Sequence, residues 1–225
     1  EFCFSLDAVL LAHFATVRPG VGAVDLGAGT GVVGLLLLAR GAGNVTGIEL
    51  NEYMAGMAGR SARLNGLDER LKIVCADLRE TALLPGSGEW GLVVANPPYR
   101  RLGGGFVSPN DKVALARHEI AGGLQDFIAA ARWLVKYRGR FAMVHLPERL
   151  AEVIAAMSAA GLEPKRLQLV YPSPGKKPKF LLVEGIRGAK PGLDVLPPLM
   201  VYDRRGNYSP EILAYYKNSG SGEDI

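Results

Sequence analysis

Asn96-Pro97-Pro98-Tyr99 is the run in this chain whose residue types point most directly to chemistry. It follows the apolar stretch Leu92-Val93-Val94-Ala95, which reads as a buried strand. Two successive prolines end a strand ladder and stiffen the turn behind it. The Asn96 side-chain amide and the Pro97 carbonyl then stand at fixed positions, and both oxygens can accept hydrogen bonds from one planar NH2 group. Such an amine is a poor nucleophile, because its lone pair is delocalised. Two fixed acceptors favour it as it pyramidalises and becomes cationic, so they act mainly in the transition state. Tyr99 can stack on a flat substrate, a contact worth about 1–3 kcal/mol per base. No strong base is needed before transfer, since the nitrogen becomes acidic only afterwards. The catalytic candidates are Asn96, Pro97 and Tyr99; the alternative is a rigid turn with a surface tyrosine.

Upstream, Asp25-Leu26-Gly27-Ala28-Gly29-Thr30-Gly31 lies between a short apolar run and the apolar segment 32–39. Its glycines permit a tight turn and let a ligand approach the backbone. Gly29-Thr30-Gly31-Val32-Val33-Gly34 also satisfies G-x-G-x-x-G, with Glu49 standing 20 residues past Gly29, so a dinucleotide is one reading. Charge favours another. A dinucleotide places a pyrophosphate at this turn, where backbone N–H groups and a helix N-terminus attract anions. Asp25, at the mouth of the turn, would repel it. S-adenosylmethionine carries an ammonium and a sulfonium and no phosphate, so an acid there is an asset. Glu49 can accept from a ribose diol, and Asp77 from an adenine amine with a backbone contact at Ala76. The expected cofactor set is Asp25, Gly27, Gly29, Gly31, Glu49, Leu50, Ala76, Asp77 and Asn96. Three acids at the carboxyl ends of three successive strands suit a cleft outside the sheet; the bland alternative is that Asp25 and Asp77 only cap turns.

The elements that must position these residues alternate. Strands are expected at 23–26, 45–49, 71–76, 91–95, 139–146, 162–171 and 179–186, and helices at 5–18, 32–39, 52–64, 119–136 and 148–160. Alternation implies a parallel sheet covered on both faces. The loop 172–178 is too short for a crossover helix, so the last two strands should pair antiparallel. The expected fold is α/β and Rossmann-like: a doubly wound, seven-strand, mostly parallel sheet with one antiparallel strand. One domain is expected over 1–217, with a flexible tail at 218–225.

With 225 residues and 48% hydrophobic content, the chain can bury a full core and is not a disordered polymer. The longest helical apolar stretch, Val32–Ala39, is too short to span a bilayer. No secretory-type leader opens the chain, which begins at Glu1 rather than Met. Cys3 and Cys75 are expected as free thiols in a reducing compartment, Cys75 on a buried strand. His13, His118 and His145 are isolated, so no metal site is expected. Charge is uneven: residues 1–131 carry net −2, 132–190 carry +8 and 191–225 carry −2, which makes the overall +4. A basic block beside a near-neutral body suits a polyanion. Arg100, Arg101 and Lys112, near the Asn-Pro-Pro-Tyr run, and Lys176, Lys177 and Lys179, near the loop 172–178, are candidate phosphate contacts. A soluble basic surface is the alternative.

At Asn96–Tyr99 the chain resembles the class I S-adenosylmethionine-dependent amino-methyltransferases. Phe4-Ser5-Leu6-Asp7-Ala8-Val9-Leu10-Leu11-Ala12, the turn 25–31, Ala116-Arg117-His118-Glu119, Leu169-Val170-Tyr171-Pro172 and Pro197-Pro198-Leu199-Met200-Val201-Tyr202 are similar to the bacterial tRNA adenine-N6 methyltransferases that modify valine tRNA. The resemblance implies S-adenosylmethionine as donor, a cytoplasmic setting, no membrane, no obligate protein partner, and as target the adenine on the 3′ side of the anticodon. A base inside a folded loop must be unstacked to react. Phe4, Leu6 and Asp7 are candidate pocket residues near the N-terminus. Three other readings stay open: a protein-glutamine N5 methyltransferase of the HemK type, with its extra N-terminal helical domain; a DNA adenine methyltransferase, with a larger recognition insert; and a non-catalytic RNA-binding module.

Overall fold

A computed structural model describes residues 6–98 and 122–217. Seven strands make the body of its sheet: β1 (Ala23–Leu26), β2 (Val45–Glu49), β3 (Leu71–Cys75), β4 (Trp90–Ala95), β5 (Val135–His145), β6 (Leu162–Tyr171) and β7 (Phe180–Arg187). Their order is β3-β2-β1-β4-β5-β7-β6. All neighbours pair parallel except where β7 runs antiparallel between β5 and β6. The doubly wound sheet with one antiparallel strand is therefore present. Among the described residues the strand count is nine rather than seven, because β8 (Asp194–Val195) and β9 (Leu199–Met200) add two short parallel pairings on the outer side of β6. Two-residue strands among Pro191, Pro197 and Pro198 leave no alternating pattern to read.

The central strands are apolar on both faces because helices cover both. Ala23, Leu92, Val94, Ala142, Val144 and Leu182 pack with α1 (Leu6–Phe14) and α2 (Val32–Ala39). The alternate positions Val24, Leu26, Val93, Ala95, Phe141, Met143 and Val183 pack with α4 (Leu124–Leu134) and α5 (Leu150–Ala159). This is the period-two alternation of a strand buried on both sides. Between these helices in chain order, α3 (Glu52–Leu64) starts at Asn51, whose Oδ1 accepts from the Met54 N–H at 3.1 Å. It lays Ala55, Ala58 and Ala62 inward.

Several boundaries differ from expectation: the first helix ends at Phe14 rather than at 18, some strand ends shift by a residue, and the largest change lies at the start of β5. Helix α4 ends at Leu134, not Lys136, and β5 begins at Val135, not Gly139. The extra residues form a bulge: Trp90 faces Val135, Leu92 faces Arg140, and Arg138 takes a φ of 64°. The helix expected from Glu148 opens as a 3-10 turn at Pro147–Arg149 before α5. Cys75 is exposed rather than buried, because β3 is the edge strand of the sheet.

A further helix, α6 (Pro210–Lys217), had no counterpart in the sequence reading. The Ser209 Oγ accepts from the Ile212 N–H at 3.2 Å, with Pro210 in the first turn. Tyr215 stacks on His13 of α1 at 4.1 Å, and Ile212 enters the core. The segments 99–121 and 218–225, which include Tyr99, Arg100, Arg101, Lys112, His118 and the expected tail, lie outside the described residues, as do Phe4 and Ser5.

Candidate active site

The strand order turns back on itself between β1 and β4, which is where open α/β sheets place their ligands. Leu26 is opposite both Ile48 and Ala95 in register, so Gly27, Glu49 and Asn96 leave the sheet as neighbours. The glycine turn is pinned there, since the Gly27 and Ala28 N–H groups donate to the Ile48 carbonyl at 2.9 and 3.0 Å. Gly27 has a φ of 71° and Gly29 of 56°, left-handed values that a Cβ would strain. A Cβ on Gly27 would also stand 3.3 Å from the Phe127 ring of α4.

Two cavities meet at this turn. One, of about 260 Å3, is lined by Gly27, Ile48, Glu49, Leu50, Ala76, Asp77, Leu78, Asn96, Pro98 and Phe127. The other, of about 520 Å3, is lined on one side by Ala8, Asp25, Gly27, Gly29 and Asn96 and continues between α2 and α3 past Met54 and Met57. Gly27 and Asn96 belong to both.

Most of the expected set is thus gathered around one point. Gly31 is the exception. It caps α2 with a φ of 84°, and a Cβ there would meet that of Ala58 at 3.1 Å, so its smallness serves the packing of α3 on the turn. From α1 the wall is Ala8. Asp7 is buried with Oδ1 accepting from the Ala8 N–H, and Leu6 packs on the core. Leu78, Ile48 and Phe127 are lining residues that the sequence reading did not single out. Leu78 directly follows Asp77, but Phe127 was indistinguishable from the apolar stripe of its helix.

The charges at the site differ in character. Asp25 is 1% exposed and its Oδ2 has no hydrogen-bond partner among the described residues. Burial, then the nearby Glu49 charge, pushes its pKa up to about 7 against a backbone hydrogen bond from Gly34. Glu49 is already engaged: Oε2 accepts from the Gly29 N–H and Oε1 from the Asn51 N–H, each at 2.8 Å. Each carboxylate oxygen keeps a second lone pair with which to accept from a diol.

Asp77 reaches the first cavity, yet its carboxylate is forked by Arg79, with Nε at 2.9 Å from both oxygens and Nη2 at 2.5 Å from Oδ2. The Arg79 hydrogen bonds hold the Asp77 carboxyl below the usual carboxylate range. Any ligand amine reaching Asp77 would have to compete with Arg79 for it. Arg79→Ala is expected to tighten cofactor binding by a few fold at most, because the pair is exposed. Calorimetric titration with S-adenosylmethionine checks this; unchanged or weaker binding would show that Asp77 takes no part.

Asn96 and Pro98 face the cavity on either side of the buried Pro97. Lys176, Lys177 and Lys179 are exposed at the same carboxyl edge, beyond β5 and β7. Among the described residues no group of three or more His, Cys, Asp or Glu could hold a metal ion, and no helix is long and apolar enough to cross a membrane. The buried Asp25 carboxyl, the Glu49 carboxylate with its free lone pairs and the apolar walls Ile48, Leu78 and Phe127 together fit a cationic nucleoside such as S-adenosylmethionine.

Comparison with known proteins bears on this geometry. The family described as "Methyltransferase domain" matches residues 23–99. The tRNA1(Val) (adenine(37)-N6)-methyltransferase of Porphyromonas gingivalis is 31% identical over 215 residues, covering 91% of this chain and 83% of that protein. The protein of the same name from Tolumonas auensis is 29% identical over 213 residues, covering 92% and 85%. Among solved structures, one described as a predicted O-methyltransferase of Agrobacterium tumefaciens superposes with a TM-score of 0.76 at 24% identity, covering 97% of this chain and all of that one. A geranyl diphosphate methyltransferase in complex with SAM gives 0.60 at 16% identity, covering 81% and 84%. These structures share the fold. On the sequence match, this chain belongs to the family of tRNA1(Val) (adenine(37)-N6)-methyltransferases.

Proposed function

We propose that the protein transfers a methyl group from S-adenosylmethionine to the exocyclic N6 of an adenine beside the anticodon of valine tRNA, in the cytoplasm, with residues 1–217 acting as one catalytic domain. The observation that carries the reading is the meeting of two cavities at Gly27 and Asn96, beside a buried carboxylate with an unpartnered oxygen. The names of the relatives supply the substrate.

The bound donor supplies an electrophilic methyl on a cationic sulfur. The chain's residues do the rest. Asp25 offers a negative charge inside a low-dielectric wall, where it attracts a cation far more strongly than in water. Glu49 ties the glycine turn to the end of β2 and presents its remaining lone pairs to a ribose. Asn96 Oδ1 and the Pro97 carbonyl accept from the adenine amine and hold it as charge develops on nitrogen. Gripped in that way, the amine would stand in line to form its bond to the methyl as the methyl–sulfur bond breaks, the electron pair remaining on sulfur and the surplus proton passing to water. Tyr99 would stack on the adenine, and Arg100, Arg101, Lys112, Lys176, Lys177 and Lys179 would meet phosphates.

Incubation with labelled S-adenosylmethionine and unmodified total tRNA, followed by digestion, tests the assignment. N6-methyladenosine recovered from valine tRNA is expected. Label on protein glutamine would select the HemK-type reading, and absence of methylated adenine would overturn the proposal.

A further inference from the structure

Three tyrosines that the proposed reaction does not use stand together at the carboxyl edge of the sheet, outside β6. Tyr202 and Tyr208 stack with ring centroids 5.1 Å apart and planes 19° apart, and Tyr208 meets Tyr216 at 6.1 Å with a 42° tilt. Their backbone is firmly built. The Val201 and Tyr202 N–H groups donate to the Tyr171 and Pro172 carbonyls, lacing the turn after β9 to the end of β6. An antiparallel bridge joins Tyr202 to Tyr208. Between them, the Asp203 carboxylate accepts from the Arg205 and Asn207 N–H groups and fixes the turn. Tyr216 rides on α6, the helix that Tyr215 docks against α1.

The rings are nevertheless open to solvent: Tyr202 is 36%, Tyr208 39% and Tyr216 52% exposed. Single exposed aromatics are ordinary, whereas a contiguous stack of them marks a contact surface. Cations surround it. Lys176 and Lys177 are exposed on the loop that follows Pro172, and Arg204 and Arg205 are exposed at the tip between Tyr202 and Tyr208. Along the described chain from Tyr202 to Tyr216 the carboxylates are Asp203, tied into its turn, and Glu211 at the start of α6. Aromatic faces interleaved with cations are the chemistry of unpaired nucleic acid, in which bases stack and phosphates are neutralised. A protein partner is not favoured by this balance of charge.

The placement suits the same reaction. From β4, which Asn96 directly follows, four inter-strand steps through β5, β7 and β6 reach β9. At about 4.8 Å each this is roughly 19 Å, the rise of about five or six stacked nucleotides. A loop whose adenine enters at Asn96 carries its neighbouring bases to the tyrosines.

We propose that Tyr202, Tyr208 and Tyr216 form a stacking platform for unpaired bases of the RNA substrate, flanked by Lys176, Lys177, Arg204 and Arg205 as phosphate contacts. This rests on the tRNA reading above and adds where the rest of the loop lies. Fluorescence anisotropy with a labelled hairpin RNA carrying adenine in its unpaired loop, without methyl donor, reads binding apart from chemistry. The Tyr202→Leu/Tyr208→Leu pair is expected to weaken binding about tenfold, whereas Tyr202→Phe/Tyr208→Phe stays within about twofold. Lys176→Gln/Lys177→Gln should flatten the salt dependence. Unchanged S-adenosylmethionine binding certifies the fold of each variant. Should the leucine pair misfold, ultraviolet crosslinking of the unaltered protein to a 4-thiouridine-substituted hairpin decides, with adducts expected on Tyr202, Tyr208 or Tyr216. Leucine-pair binding within about twofold of the unaltered protein, a phenylalanine pair as weak as the leucine pair, or adducts only elsewhere would overturn the platform. The two readings fail separately: tyrosine-dependent binding without N6-methyladenosine defeats the reaction and keeps the platform, and methylation with tyrosine-independent binding does the reverse.

Discussion

Asn96→Ala is expected to lower kcat by about 10³-fold while the dissociation constant for S-adenosylmethionine moves by no more than a few fold. The first number follows from what the amide does. In the proposed mechanism it holds one of two acceptors for an amine that is neutral in the ground state and cationic in the transition state, so its contribution would be largest at the top of the barrier. Removing one preorganised polar group from a water-poor site costs about 10²–10³ in rate. The second number follows from its position: Asn96 is one residue in a wall that also contains Glu49, Leu50, Asp77 and Leu78. Single-turnover transfer to tRNA and calorimetry with the donor separate the two. A variant that turns over normally would remove the acceptor role, and one that loses donor binding in proportion to rate would make Asn96 a cofactor residue instead. Asn96→Asp, which keeps an acceptor oxygen, should retain more activity than the alanine variant.

The second large effect is expected at Asp25, and it has opposite signs for binding and for stability. A cationic ligand binds the carboxylate, whose pKa in the free protein is raised to about 7 by burial and by Glu49. Donor affinity should therefore be level above pH 8 and fall by up to tenfold per unit below about pH 7. Asp25→Asn should weaken binding by about 10²-fold or more and abolish that dependence. Stability runs the other way. The folded pKa lies above the unfolded 3.8, so the contribution of Asp25 is full below about pH 4 and is lost as pH rises through 7. In the ligand-free protein at pH 8 the ionised group is a buried charge only partly offset by the Gly34 backbone hydrogen bond, a burden on the order of a few kcal/mol. Asp25→Asn, isosteric and neutral, should raise the thermal midpoint at pH 8 by several degrees, with the gap closing toward pH 4. Parallel melts and donor titrations of the two proteins across pH check this. A variant no more stable than the parent at pH 8 would show that Asp25 is neutral or otherwise paired in the free protein. The pattern is that of a site holding strain for the sake of its ligand.

Much of this was legible in the sequence, for physical reasons that differ by element. The strands 23–26 and 45–49 were readable to the residue because turn-forming glycines and asparagines bound short runs rich in apolar and β-branched residues, and 162–171 because Gly161 and Pro172 mark its two ends. The glycine turn and Asn96 were readable because their residue types are costly anywhere else. The start of β5 was not, since Lys136-Tyr137-Arg138 continues the polar face of α4 and only pairing with Trp90 makes it a strand. The Arg79 fork on Asp77 was also hidden. Adjacent polar residues offer many local pairings, and the turn after β3 selects one. The tyrosines escaped for a third reason: Tyr202, Tyr208 and Tyr216 span fifteen residues of sequence and meet only because a bridge and a capped helix fold them back.

The two shortest strands have a consequence for the molecule's behaviour in a crowded solution. Without them, the ten-residue β6 would offer one whole side of unpaired N–H and C=O groups to any extended peptide. Paired with β6 at residues 166, 167, 170 and 171, β8 and β9, separated by Pro197 and Pro198, cover its second half and present there a broken margin ill-suited to templating another strand. The opposite margin is only the five-residue β3, carrying the exposed Lys72. The protein is thereby guarded at both rims against edge-to-edge aggregation.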